Sequence, residues 1–134
     1  MNILIKNGRI ISATDDYVAD IFIEGEIVKA IGKNLAVKAE KEIDAAGKLV
    51  FPGGIDPHVH LDMPFMGTFS SDNYETGTRA ALFGGTTMVI DFILQKQGNS
   101  LRSALEEWKG RSDNNCVGDY SFHMAVTDFN DDTK

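Results

Sequence analysis

The sequence predicts an α/β fold, on three observations. The first fifty residues carry short alternating apolar runs broken by turn signals. From Pro52-Gly53-Gly54 onward the pattern changes to strand, helix, strand, helix, strand. One of those later strands, Thr86 to Ile93, is apolar almost throughout, as strands buried on both faces of a parallel sheet are. The expected division is 1–50, a set of N-terminal β-strands, and 51–134, the first three strand–helix units of an incomplete parallel arrangement.

In the first part, Ile3 and Ile5 precede Asn7-Gly8, and Ile10-Ile11 follow it. An Asn-Gly pair between alternating apolar residues predicts a hairpin turn. Val18, Ile21 and Ile23, then Gly25, then Ile27, Val28 and Ile31 predict a second pair of strands. A third pair is expected around Ile43 and Leu49-Val50, with Ala46-Gly47 at the turn. Charged residues such as Lys6, Arg9, Asp20 and Lys29 fall between the apolar ones, which fits antiparallel strands with one wet face.

In the second part, Ile55 to Leu61 is a short strand, although Pro57 cannot donate to a ladder. Asp72 with Glu75 three residues on reads as a capping box opening a helix. That helix runs to about Phe83 and stops at Gly84-Gly85. Asn99 or Ser100 caps a second helix, whose Leu101, Ala104, Leu105 and Trp108 share one face. Tyr120 to Val126 is the third strand. Strand–helix–strand units of this kind are parallel, right-handed crossovers. Three such strands leave sheet edges open, and a closed barrel of eight units takes about 250 residues. The expectation is therefore an N-terminal piece of a longer protein; the alternative is a complete small α/β domain.

Composition narrows the function classes. The 134 residues include 13 Lys+Arg against 20 Asp+Glu, a net charge of −7. Nucleic acid is not the expected partner, because that work needs a basic footprint. No apolar run approaches the roughly 20 residues that span a bilayer. The single cysteine, Cys116, cannot form an internal disulfide. The expected setting is the cytoplasm, with no membrane partner.

The chemistry centres on Asp56-Pro57-His58-Val59-His60. Residues two apart on a strand point to the same face, so both imidazoles can meet one metal ion. Neutral imidazole binds Zn²⁺ at about 2.0–2.1 Å. On spacing alone the pair reads either as metal ligands or as two ordinary histidines at a strand end. Its place at the end of the first strand of a βα repeat favours ligands, since barrel sites gather at the C-terminal ends of strands. Catalytic zinc takes at least three protein ligands and an open position, and two are evident here. His123 is the third of the chain's 3 histidines and sits in mid-strand, where packing or support of the site is the expected role.

The segment Val50-Phe51-Pro52-Gly53-Gly54-Ile55-Asp56-Pro57-His58-Val59-His60 resembles the first barrel strand of the amidohydrolase superfamily. Leu61 to Thr68, Asp72 to Thr78, Ala80-Ala81-Leu82 and Gly84-Gly85-Thr86-Thr87 narrow the resemblance to the dihydropyrimidinase/hydantoinase branch. Asn7-Gly8-Arg9-Ile10 and Asp119 to Met124 extend it over the whole chain. The resemblance implies a metal-dependent (β/α)8 barrel in a chain several times this length, with residues 1–50 contributing to a small β-sandwich. It implies two divalent metals, usually zinc, with His58 and His60 binding one of them. The other ligands are a carboxylated lysine, two further histidines and an aspartate, all expected beyond residue 134. Two metals about 3.5–4 Å apart activate water and polarise a carbonyl. The distal aspartate moves the proton, and a cyclic ureide opens to an N-carbamoyl amino acid. Asp91 is read as structural or as support, since the family's catalytic aspartate belongs to the last strand. The implied assembly is a homotetramer.

Met63, Pro64, Phe65 and Met66 follow the histidines, and Met63 and Phe65 are the candidate substrate-binding residues. The other reading is that they simply pack the strand–helix junction. A dihydroorotase-like relative would carry an arginine two residues after the second histidine, to pair with a carboxylate; position 62 is Asp. The expected substrate is a neutral ring, a 5,6-dihydropyrimidine or a 5-substituted hydantoin. Residues 1–134 alone are expected to be inactive. Alternatives are another cyclic amidohydrolase such as an allantoinase, a non-catalytic dihydropyrimidinase-related assembly protein, and an independent small metal-binding module.

Overall fold

A computed structural model of the chain describes residues 1–133. It divides into two compact units, Met1–Pro52 and Gly53–Lys134.

The first unit is a sheet of five strands: β1 (Asn2–Ile11), β2 (Asp16–Glu24), β3 (Ile27–Gly32), β4 (Lys41–Asp44) and β5 (Leu49–Val50). β1, β2 and β3 form an antiparallel meander, and Gly25 at φ 63 serves the β2–β3 turn. Two expectations fail here. Asn7-Gly8 is not a turn: β1 runs straight through it. Asn7 instead takes φ 61 in a bulge, where the register jumps between Ile5 and Gly8. A bulge uses the same left-handed backbone that makes Asn-Gly a hairpin signal, so the dipeptide alone does not separate the two. The pairing of residues near Ile43 with Leu49-Val50 also fails. β4 and β5 each lie parallel to β1, at successive positions along it. The sheet is mixed rather than antiparallel.

The buried carboxylate of Asp20 closes the bulge. It accepts the Asn7 N–H at 2.9 Å and the Leu35 N–H at 3.0 Å. These bonds, the one from Asn7 first, hold its carboxyl below the usual carboxylate range. A carboxyl lowered on folding adds stability that is present above its unfolded value, about 3.9, and is lost as pH falls through the folded one. Asp20→Asn is therefore expected to flatten the loss of stability below about pH 4. Thermal unfolding between neutral and acid pH checks this; parallel curves for parent and variant would refute it.

The second unit is a three-stranded parallel sheet covered on one face by two helices. β6 (Gly54–Val59) and β10 (Asp119–Ala125) flank β9 (Thr86–Leu94). Between β6 and β9 come a small hairpin, β7 (Pro64–Phe65) with β8 (Thr68–Phe69), and helix α1 (Tyr74–Phe83). Helix α2 (Leu101–Ser112) links β9 to β10. A 3-10 turn, Asp131–Thr133, follows. Along β9, Val89, Asp91 and Ile93 point into the helix-covered core, while Ile90, Phe92 and Leu94 between them are half-buried. Trp108, Tyr74, Ala104 and Leu61 complete that core.

Helix α1 ends at Gly84, as expected, but its N-cap is Asn73, not Asp72. The Asn73 side chain accepts the Thr76 N–H, and the Thr76 hydroxyl accepts the Asn73 N–H. Asn and Thr thus form the reciprocal pair one residue later than Asp and Glu would. Ser100 caps α2, and its Ala104 and Trp108 are buried while Leu105 is exposed. Among the described residues no helix is long and apolar enough to cross a membrane.

Candidate metal centre

The site begins with an irregular strand. β6 pairs with β9, but the register shifts between Asp56 and Val59, across Pro57. Proline has no N–H to give the ladder, and the irregularity removes the demand. The Asp56 carboxylate accepts the His58 N–H at 3.1 Å, replacing the bond a straight strand would supply. His58 and His60, the latter just beyond the strand end, are both exposed. Their ring centroids lie 5.0 Å apart with the planes at 89°.

Phe92 of β9 underlies them. Its ring lies 4.5 Å from that of His58, 5.5 Å from that of His60 and 4.9 Å from that of His123 on β10. Three imidazoles from neighbouring strands thus surround one phenyl ring. His123 Nε2 lies 3.1 Å from the Pro57 carbonyl oxygen. A carbonyl only accepts, so Nε2 donates, and this ring ties β10 to the backbone between Asp56 and His58.

On the opposite face, Asp91 is fully buried. It accepts the Tyr74 O–H at 2.6 Å, the Leu61 N–H at 3.3 Å and its neighbour Phe92 N–H at 2.7 Å. Burial pushes its carboxyl up, and the Tyr74 bond leads the interactions that oppose this. Burial and the bond to Asp91 push the Tyr74 phenol up, so it stays protonated and donates. Without access to solvent, Asp91 is a structural acceptor rather than a proton carrier for substrate. Burial pushes the half-buried Cys116 thiol up to about 11, so without a bound metal it stays protonated at neutral pH.

Beside His60 opens a cavity of about 380 Å³, lined by His60, Met63, Phe65, Thr68, Phe69 and Ser70. The β7–β8 hairpin forms much of its wall. Met66 (φ 48) and Gly67 (φ 80) make the two-residue turn, with both residues left-handed. The Ser70 N–H donates to the Met63 carbonyl at 2.9 Å, and the Met63 N–H donates to the Ser70 hydroxyl at 2.9 Å. Met63 is buried and Phe65 is 61% exposed. No Lys, Arg, Asp or Glu belongs to the lining among the described residues. Sequence reading missed this hairpin because a methionine at positive φ carries no turn signal; Gly67 was the one cue.

The two imidazoles fit a divalent ion as part of its ligand set: ring nitrogen donors, exposed, over one phenyl ring. They do not complete one. Among the described residues no group of three or more His, Cys, Asp or Glu side chains gathers in a way that could hold a metal.

Residues 49–112 match the amidohydrolase family. The chain is 50% identical to a D-hydantoinase of Geobacillus stearothermophilus over 98% of its length, and 44% identical to a dihydropyrimidinase of Rattus norvegicus over 98%. It spans 28% and 26% of those proteins. A crystal structure of the dihydropyrimidinase from Brevibacillus agri superposes with a TM-score of 0.95 at 51% identity, covering 98% of this chain and 28% of that one.

Proposed function

We propose that this chain, similar along nearly its whole length to dihydropyrimidinases and D-hydantoinases, belongs to an amidohydrolase with the following activity. The protein to which it belongs hydrolyses the cyclic amide bond of 5,6-dihydropyrimidines or 5-substituted hydantoins, giving N-carbamoyl amino acids. The observation that carries this reading is a pair of exposed imidazoles, His58 and His60, of which His60 lines an apolar cavity just past the end of one strand. On this reading Met1–Pro52 contributes to a small β-sandwich, and Gly53–Lys134 holds the first strand–helix units of a barrel. The exposed apolar side chains of the first unit's sheet, Val28, Ile31 and Leu49 among them, support a covering layer from elsewhere in the longer chain.

In the proposed mechanism His58 and His60 would hold one divalent ion, zinc on this reading. Such an ion would supply an activated water and polarisation of the ring carbonyl. The chain's own residues orient the reactants. Phe92 keeps the imidazole planes fixed from below. Met63 and Phe65 take the ring substituent and keep water from it, with the carbonyl edge toward His60. With no Lys or Arg in that lining among the described residues, a substrate carboxylate would be desolvated without a side-chain partner, at a cost.

The expected result follows from that lining. The full-length protein opens dihydrouracil or a 5-substituted hydantoin with a kcat/KM at least ~10-fold above that for dihydroorotate. Steady-state kinetics on the three substrates decide; a preference for dihydroorotate would move the protein to another branch.

A further inference from the structure

We propose that Asp91, together with Tyr74, is a positioning residue for His60: its buried carboxylate holds the backbone that immediately follows this histidine. The proposal rests on the reading above, in which His60 is a metal ligand.

The argument starts from where β6 stops. Its last residue is Val59, paired with Asp91, so His60 lies one residue beyond the strand end. A ligand just past a strand end is ordered by what holds the peptides that follow it. Leu61, the next residue, is held twice. Its N–H donates to Asp91 Oδ2 at 3.3 Å. Its side chain presses on α1 at Gly77, where an added Cβ would meet Leu61 Cδ2 at 2.4 Å. The same Oδ2 accepts the Tyr74 O–H at 2.6 Å, which fixes the carboxylate from the first turn of α1.

Asp91 and Phe92 are successive residues of β9 and point to opposite faces. Phe92 supports the His60 ring on one side, and Asp91 anchors the following peptide on the other. A carboxylate in an apolar core is costly unless hydrogen-bonded. An aliphatic residue would fill the position at less cost if packing were its whole task. Groups that orient metal-bound histidines typically change metal affinity 10–100-fold when removed.

The test uses the full-length protein and measures Zn²⁺ affinity by chelator competition, thermal unfolding of the metal-free form, and kcat and KM on dihydrouracil. Asp91→Asn keeps the volume, but an amide cannot accept from all three donors. Its zinc affinity is expected to fall 10–100-fold. Tyr74→Phe frees one side of the carboxylate and is expected to give a smaller loss in the same direction; it decides the matter if Asp91→Asn does not fold. Ile93→Val, in the same core and on the same strand face, is expected to lower thermal stability while leaving zinc affinity unchanged. Zinc affinities of both folded variants within about twofold of the parent's overturn the proposal, as does an equal loss in Ile93→Val. A parent whose zinc survives His60→Ala overturns the underlying reading, and this proposal with it.

Discussion

His58→Ala and His60→Ala, each made in the full-length protein, are expected to remove most of the bound zinc and most of the activity. Both imidazoles lie exposed on one side of the sheet, with centroids 5.0 Å apart and a shared phenyl ring beneath. Loss of either leaves a coordination position unfilled, since no group of three or more His, Cys, Asp or Glu that could hold a metal gathers among the described residues. Losing a direct ligand is expected to exceed the 10–100-fold effect typical of supporting residues, so turnover should fall by more than about 100-fold. His123→Ala is the informative contrast. Its Nε2 is engaged with the Pro57 carbonyl, so its loss loosens the tie between β10 and the strand that carries His58. Zinc is expected to be retained there, at reduced affinity. Metal analysis of the purified variants decides; full zinc in both His58→Ala and His60→Ala contradicts the assignment.

Trp108→Ala is expected to cost about 3–5 kcal/mol of stability, the range for deleting a large buried aromatic. Trp108 is fully buried in the core with Tyr74, Val89, Ile93 and Ala104. The Arg111 guanidinium sits 4.7 Å from its ring centroid while donating to the Asp62 carbonyl at 2.7 Å. Removing the indole therefore also takes one support from an arginine that steadies the turn after His60, leaving its bonds to Asp62 and Glu107. Among the described residues Trp108 Nε1 has no hydrogen-bond partner. An unpaired buried donor costs about 1–3 kcal/mol, so Trp108→Phe removes a penalty as well as volume. The phenylalanine variant is expected to stay within about 1 kcal/mol of the parent, the two effects offsetting. Denaturant unfolding of both variants checks this pair of values; an alanine variant that loses under about 1 kcal/mol would show that the core does not depend on the indole.

The sequence carried the second unit more faithfully than the first. Thr86–Leu94 announced itself as a buried parallel strand by an apolar run, and Ser100 announced α2, because those signals are local. The pairing of β4 and β5 with β1 was not legible, since short polar-faced strands do not encode which neighbour they choose. Asn7 shows the same limit in a single residue: a positive φ is written in the sequence, but whether it bends a turn or a bulge depends on Asp20, thirteen residues away in the contact it makes. At the site, the His58–His60 pair was visible from period-two geometry. The roles of Phe92 and Tyr74 were not, because an aromatic residue in an apolar strand or at a helix start looks like ordinary core. Asp91 was the exception, a charge inside an apolar run that needed a buried partner, and Tyr74 is that partner.

The order of strands in the second unit also sets an order in time. In the first unit β1, β2 and β3 are consecutive in the chain and pair antiparallel, so their contacts close over short loops. β6 has no such neighbour. Its hydrogen-bonding partner is β9, which lies beyond the hairpin and the whole of α1. Non-local parallel pairing is slow to close, because the intervening chain must be ordered first. During synthesis the strand that carries His58 emerges well before β9 and stays unpaired until β9 arrives. The peptide after His60 waits as well, since its anchor, Asp91, is on that same later strand. The histidines are thus among the first residues of this unit to be made and among the last to be aligned, so the metal alignment proposed for them would come as a late product of folding, with no pre-formed template for it.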